Sequence, residues 1–386
     1  MISGLVLGQV NVPFLPPTWE NTLLLVASFL LLLLGAEIFT NGVEWLGHHL
    51  GVSESATGSI LAAVGTALPE TMIPVLAIIA GGRAAEEVGV GAILGAPFML
   101  ATVAMLLVGS SVLYFGRRRA SGKMMHFNDK STRRDLSFFL VGYSLAFLAA
   151  LVDDRTITLG IGGLLVLLYL TYLYRSLQSG ELVESESLEE LHIGLMIEGT
   201  LARVPGMTND GGHAEDPHFL LVGLQTAFAL SVIIGGALVF VEQTVWVSEE
   251  VLHIPTAVVA LLIAPLATEL PEKFNSVIWI SRDKDTLALG NITGAMAFQG
   301  TLPVTLGIVY TSWDLSLSWG TTGFLNGFSA ILAIVSGGLL YLRARGANNG
   351  EMAPRPFLIG GLFYLLFIVV TVYHVVVLDV QAAGAH

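Results

Sequence analysis

The chain has 386 residues, of which 54% are hydrophobic and 12% charged, and its net charge is −13. Soluble chains average about 25% charged residues, so this composition, with a mean hydropathy of +0.76, excludes an ordinary soluble domain and indicates a polytopic helical membrane protein. It also contains no cysteine, which excludes disulfides, cysteine-held metals and thiol nucleophiles.

Residues 1–21 carry no Lys or Arg, the wrong character for the start of a cleaved signal peptide. Ten apolar runs then approach the roughly 20 residues that cross a bilayer. They cover residues 22–46, 54–80, 88–113, 136–152, 156–177, 218–243, 252–280, 286–310, 321–343 and 356–378. The organisation expected is an extracytoplasmic segment 1–21, a first five-helix repeat 22–177, a linker 178–217 and a second five-helix repeat 218–386. Nine Asp and Glu lie between Glu181 and Asp216. A solvated acidic linker accounts for them, with cation sensing as the sharper alternative.

Orientation follows from Lys and Arg in the loops. With the N-terminus outside, fourteen of the seventeen fall on the cytoplasmic side, seven of them between Arg117 and Arg134. Only Arg83 and Arg155 are left outside, and Lys273 lies within a span. Both termini are therefore expected outside a plasma membrane, and topology explains the basic cluster without a nucleic-acid partner.

The halves align at a spacing near 200 residues. Gly35-Ala36 falls on Gly236-Ala237, Phe39 on Phe240 and Trp45 on Trp246. After a one-residue gap, Thr66, Pro69 and Glu70 fall on Thr268, Pro271 and Glu272. Gly91-x-x-x-Gly95-Ala96 falls on Gly290-x-x-x-Gly294-Ala295. Small residues at this spacing are common where membrane helices pack; a matched Pro-Glu inside a span is not. Five spans per half is an odd number, so the second repeat is inverted relative to the first. Inverted repeats place their substrate near the midplane, on interrupted helices.

Both Pro-Glu segments are built to offer oxygens. Proline lacks an N–H, so Pro69 releases the carbonyl of Gly65 and Pro271 that of Ala267; Pro74 and Pro265 release those of Glu70 and Leu261. In lipid a freed carbonyl needs a partner or a cavity, and a cation is such a partner. Thr66 and Glu70 are four apart and share a helix face, as do Thr268 and Glu272. Hard cations such as Ca²⁺ take six to eight oxygens, carboxylates prominent among them. Two buried carboxylates close together also favour taking up protons, and competition for one site is the basis of antiport. Glu269 admits two readings: a helical ion pair with Lys273, four residues on, or a third acidic ligand. In the second reading Lys273 points elsewhere; a further reading makes Lys273 a tethered cation that lowers the site's demand for Na⁺. Gly89, Gly91 and Gly95 are expected to let the third span pack close, and Gly290 and Gly294 the eighth. Asn291, Thr293 and Gln299 bring polar groups to the second half where the first has Ala92, Leu94 and Leu100.

These segments resemble the cation/Ca²⁺ exchanger superfamily, which includes the sodium/calcium exchangers. Its two inverted five-helix halves each carry a Gly-Thr-Ser-Leu-Pro-Glu segment followed by a Gly-x-x-x-Gly-Ser-Asn-x-x-Asn/Asp helix. Gly65 to Glu70 matches the first pattern with Ala67 for Ser, and Ala267 to Glu272 matches more loosely, with Glu269 at the Ser position. In the second pattern Ser becomes Ala96 and Ala295, and the acid or amide becomes Leu100 and Gln299. In sodium-coupled members those side chains help to form the Na⁺ sites, so their absence favours proton coupling.

The fold expected is an all-α polytopic membrane protein of about ten transmembrane helices in two inverted five-helix repeats. The function expected is secondary cation antiport, Ca²⁺ against Na⁺ or H⁺, with no cofactor. Its partners are inorganic cations and the lipid bilayer. Candidate ligands are Glu70, Glu272, Thr66, Thr268, Glu269 and Gln299, with the carbonyls of Gly65 and Ala267. A non-transporting cation sensor on the same fold is the alternative, motivated by Ala67, Ala96 and Leu100. No H-E-x-x-H or G-x-S-x-G pattern supports an enzyme.

Overall fold

The computed structural model describes residues 17–49, 68–178, 217–311, 313, 315, 317–347 and 350–378. Among these, seven helices are long and apolar enough to cross a membrane: Trp19–Phe39, Arg83–Phe115, Arg155–Ser176, Phe219–Leu252, Asp285–Tyr310, Thr322–Arg345 and Arg355–Val376. The other expected spans meet shorter or more charged helices, for local reasons.

In chain order, α1 is Pro17–His49, α2 is Leu68–Ala80 and α3 is Arg83–Met99. A π-helical turn, Leu100–Ala104, joins α3 to α4, Met105–Phe115. The first half closes with α5, Asp129–Ala149, and α6, Arg155–Gln178. The second half opens with α7, Phe219–Trp246. Its second element is broken into α8, Thr256–Thr268, and α9, Leu270–Ser281. Its third is broken into α10, Asp285–Gln299, and α11, Leu302–Tyr310. The last two are α12, Thr322–Arg345, and α13, Arg355–Val376. The second break follows from Pro303, whose missing N–H leaves the carbonyl of Gln299 without its helical donor. The start of α5 is too charged for a span, with Asp129, Lys130, Arg133 and Arg134 in its first two turns.

The two halves interlock. The α3–α4 rod packs on α12 and α13, the last two helices of the other half, while α10 and α11 pack on α5 and α6. Each half's third span is thus held by the other half's closing pair. In an 18-residue apolar stretch of the Arg83–Phe115 rod 83% is buried, against 18% in that of Trp19–Phe39, so α3 is the axis of the molecule. One face of α3 joins the main apolar core through Ile93, Leu94 and Phe98. Its other face, through Val88 and Ala92, joins a smaller core with Leu32, Ile73, Ile233 and Phe240 from α1, α2 and α7. The π turn leaves a carbonyl to satisfy, and Ser336 of α12 donates to Ala101 O at 2.6 Å.

Glycine governs how closely α3 meets α8. A Cβ on Gly91 would stand 2.8 Å from Ala257 O, and one on Gly95 would fall on Leu261 O and 2.6 Å from Pro265 Cγ. Pro265 denies the Leu261 carbonyl its helical donor, and the bare Cα of Gly95 lies against that carbonyl. The matching glycines of α10 differ: among the described residues nothing comes within 4 Å of a Cβ on Gly290, and Tyr172 Oη stands at 3.4 Å from one on Gly294.

Beyond the ends of α4 and α9 the halves are tied by polar contacts. Met125–His126 pairs antiparallel with Glu351–Met352. Arg119, a loop residue by topology, is fully buried at its side chain, and its Nη2 donates to the equally buried Asp285. Its Nε donates to Asp283 Oδ1 at 3.2 Å. Burial pushes the Asp283 carboxyl up, but hydrogen bonds from Ser121 Oγ, the Ala120 and Ser121 amides and Arg119 outweigh this and hold it at about 2. The basic cluster is therefore more than an orientation signal, since its third arginine fastens one half to the other.

α1 and α7 pack along each other. Gln225 Nε2 on α7 donates to Asn41 Oδ1 at 2.9 Å and to Ile38 O at 3.1 Å on α1. Both side chains are buried.

Candidate functional site

Glu70 lies in the first turn of α2 and is 5% exposed. A helix N-terminus favours a carboxylate, but it does not explain carrying one into an apolar interior, where Ile73 and Ala77 on the following turns are also buried. Thr66 and Gly65, its expected companions, lie outside the described residues.

In the second half the chain leaves α8 at Thr268 and re-enters helix at Leu270. Pro271 sits in the first turn of α9, where a missing N–H is harmless. Glu269 is the residue at the break, with φ −86° and ψ 8°. Thr268 is buried and closes α8, whereas the Glu272 position falls in the first turn of α9. The single helix face expected for these two is thus interrupted between them. The side chains of Glu272 and Ala267 lie outside the described residues.

Glu269 and Lys273 are brought together. Lys273 Nζ lies 2.9 Å from Glu269 Oε2, with side-chain exposures of 2% and 0%. Nζ also donates to Pro265 O at 3.3 Å. Of the two readings of Glu269, the ion pair is the arrangement seen.

The polar residues of α10 divide. Thr293 donates to Asp135 Oδ2 of α5 at 2.9 Å, so it faces another helix. Asn291 Nδ2 approaches Ser276 Oγ of α9 at 3.4 Å. Gln299, 3% exposed, ends α10. Its Oε1 has no hydrogen-bond partner among the described residues, and Pro303 frees its main-chain carbonyl. Gln299 therefore brings two oxygens to the second broken helix. Sequence reasoning overlooked the contacts that tie Asp135 and Arg119 to the other half, because Thr293 and Asp285 lie more than 150 residues away.

Among the described residues no three His, Asp or Glu gather at one point. What is described is a continuous proline-bearing helix, α2, and a broken element, α8–α9. One carries a buried carboxylate. The other carries a buried carboxylate–ammonium pair, followed by a helix that ends in an amide.

The sodium/calcium exchanger protein family matches residues 20–178 and 222–376, which is most of the chain in two blocks. A curated protein carrying the antiporter name CaxA, from Alkalimonas amylolytica, is 31% identical over 87 residues, or 22% of this chain and 26% of that one. The match thus spans about a quarter of that relative's length. A solved structure of the H⁺/Ca²⁺ exchanger CAX is similar over 93% of this chain and 87% of its own, with a TM-score of 0.65 and 18% identity. The structure of native YfkE is similar over 92% of each chain, with a TM-score of 0.61 and 14% identity. For the sodium-calcium exchanger NCX_Mj the likeness covers 90% of this chain and 98% of the other, at a TM-score of 0.54 and 16% identity. At these identities the solved structures speak for the fold.

Proposed function

The chain belongs to the sodium/calcium exchanger protein family, and from that premise we propose that it is a secondary active cation antiporter exchanging Ca²⁺ for Na⁺ or H⁺. The observation that carries this reading is Glu70, a carboxylate 5% exposed in the first turn of an apolar, proline-bearing helix. Its sequence counterpart, Glu272, stands beside the break between α8 and α9. Ionisable groups at membrane depth are rare and mark ion pathways. In this reading Glu70 and Glu272 are the central ligands, and Thr66, Thr268, Gln299 and the carbonyls of Gly65 and Ala267 complete the oxygen set. Glu269 serves the site through its pair with Lys273.

The two carboxylates balance one divalent ion, or two monovalent ions or protons, and a ban on moving empty couples the fluxes. The interlocked helices α3 to α6 and α8 to α13 form the stationary body together with α2, and the α1–α7 pair slides across it. The repeats 22–177 and 218–386 are joined by the acidic linker 178–217 on the cytoplasmic side, with both termini outside a plasma membrane. The apolar residues at Ala96, Ala295 and Leu100 remove oxygens that a sodium site would use, which favours protons as the coupling ion. They also support a second reading, a cation sensor that binds without transporting.

The test is ⁴⁵Ca²⁺ uptake into proteoliposomes under an imposed Na⁺ gradient and, separately, an imposed pH gradient. Uptake is expected under the pH gradient and lost in Glu70→Gln with Glu272→Gln. Unchanged uptake in that double variant would sink the assignment of the ligands. Ca²⁺ binding without uptake under either gradient would select the sensor.

A further inference from the structure

Lys273 lies well inside an expected span, and the antiporter mechanism just described gives it no task beyond holding Glu269. Its ammonium is held by Glu269 Oε2 at 2.9 Å and Pro265 O at 3.3 Å. A carboxylate oxygen and a backbone carbonyl beside a helix break are the oxygens that bind a small monovalent cation at membrane depth. The pair is buried at both ends, so it is not a solvent-screened surface bridge of little consequence. It also lies against the break at which the chain offers its second candidate ligand, Glu272, one residue before Lys273.

We propose that Lys273 is a resident, non-transported cation that fills a monovalent-cation place in the second half. It thereby fixes how many positive charges the site takes from solution. The inference rests on the antiporter reading and deepens it. Glu70, Glu269 and Glu272 together carry three negative charges and Lys273 returns one, so the empty site presents two. Without the lysine it would present three, and Glu269 with Pro265 O would be left as an oxygen pair for a mobile cation. The replacement is intramolecular, and the tether keeps the ammonium at the break whatever the composition of the medium. The lysine is thus a specificity-determining residue: it sets the site for a divalent ion and excludes an accompanying Na⁺.

The arrangement predicts opposite behaviour for the two partners. In Lys273→Gln, Na⁺ takes the vacated place. The melting temperature of the detergent-purified full chain then rises saturably with NaCl, relative to choline chloride at equal ionic strength, by the mass action of a ligand bound only when folded. Removing the positive charge also tightens ⁴⁵Ca²⁺ binding by at least about tenfold. In Glu269→Gln the ammonium is left without its carboxylate, and Ca²⁺ binding weakens. The double variant Glu269→Gln with Lys273→Gln removes the carboxylate charge and the ammonium together. It returns to wild-type Na⁺ sensitivity and to near wild-type Ca²⁺ affinity.

A pair that merely braces the break would instead weaken Ca²⁺ binding in both single variants and give neither of them Na⁺-dependent melting; that result overturns the proposal. So does a Lys273→Gln chain that fails to fold at every NaCl concentration while the double variant folds. The Na⁺-dependent melting needs no transport, so it reports on the lysine alone. Wild-type protein that binds no Ca²⁺ and moves none under either gradient would overturn the antiporter reading, and this one with it.

Discussion

The two Pro-Glu segments share a plan, each with its Pro and Glu in the first turn of a helix, and differ in charge. In the first half Glu70 follows Ala67 and precedes Thr71, both uncharged. In the second, the corresponding positions hold Glu269 and Lys273, an ion pair formed within one half alone. The helices that follow differ in the same sense. α3 is apolar and presses bare glycines onto α8, whereas α10 carries Asn291, Thr293 and Gln299. Among the described residues the polar atoms are divided unevenly: the first half places one buried carboxylate beside a close-packed axis, and the second places a buried ion pair and a buried amide.

The sharpest test of this division compares one residue from each half. Glu70→Gln should reduce cation flux by more than the roughly 10- to 100-fold typical of losing a supporting residue, while Gln299→Leu should stay within that range. Equal losses in proteoliposome uptake would mean that the burden is shared evenly. The seam between the halves comes next. Arg119→Met leaves Asp285 buried without its guanidinium, and breaking a buried pair from one side costs about 3–5 kcal/mol. Thermal or denaturant unfolding of the purified protein should show it, and a change near zero would mean that the seam is solvated.

A smaller effect separates the matched glycines. Gly95→Ala drives a Cβ onto Leu261 O and should destabilise by about 1–3 kcal/mol, the usual penalty of overpacking. Gly294→Ala meets only Tyr172 Oη at ordinary contact distance and should be neutral, or stabilising by up to about 1 kcal/mol through helix propensity. Unfolding midpoints of the two variants decide between a divided and a symmetric packing role. The smallest effect belongs to Asp283. Its carboxyl sits at about 2 in the folded chain, below the roughly 3.9 of an unfolded aspartate. Its contribution is therefore complete above about pH 4 and lost as pH falls towards 2. Asp283→Asn should flatten that part of the stability profile, and an unaltered slope would show that other carboxylates set it.

Much of this was legible in the sequence because membrane constraints act locally. Lipid demands continuous apolar helices, so span positions could be read from runs of residues, and proline declared its breaks wherever it fell. Glu269 and Lys273 could be paired in advance because four residues along a helix is a contact by geometry alone. The contacts that escaped notice join residues far apart in the chain. Arg119 reads as one more cytoplasmic arginine until Asp283 and Asp285 fold against it, and Thr293 reads as a polar group without a named partner until Asp135 accepts its hydrogen bond. The glycines of α3 and α10 look equivalent in the alignment. Their difference becomes visible only when the partner helix is in place, since what matters about a glycine is the atom that occupies the room its missing side chain leaves.

The hydrogen bond from Gln225 to Asn41 bears on how such a protein can be driven. Two long helices joined by a buried amide pair cannot slip past each other without stripping a polar contact where water is scarce. They should therefore travel as one plank. A covalent bridge engineered between positions 41 and 225 would then leave the turnover cycle running, whereas one from the plank to α2 would jam it. The absence of native cysteine makes this chain well suited to the attempt, and the same bridges would turn an inferred motion into a ruler for its stroke.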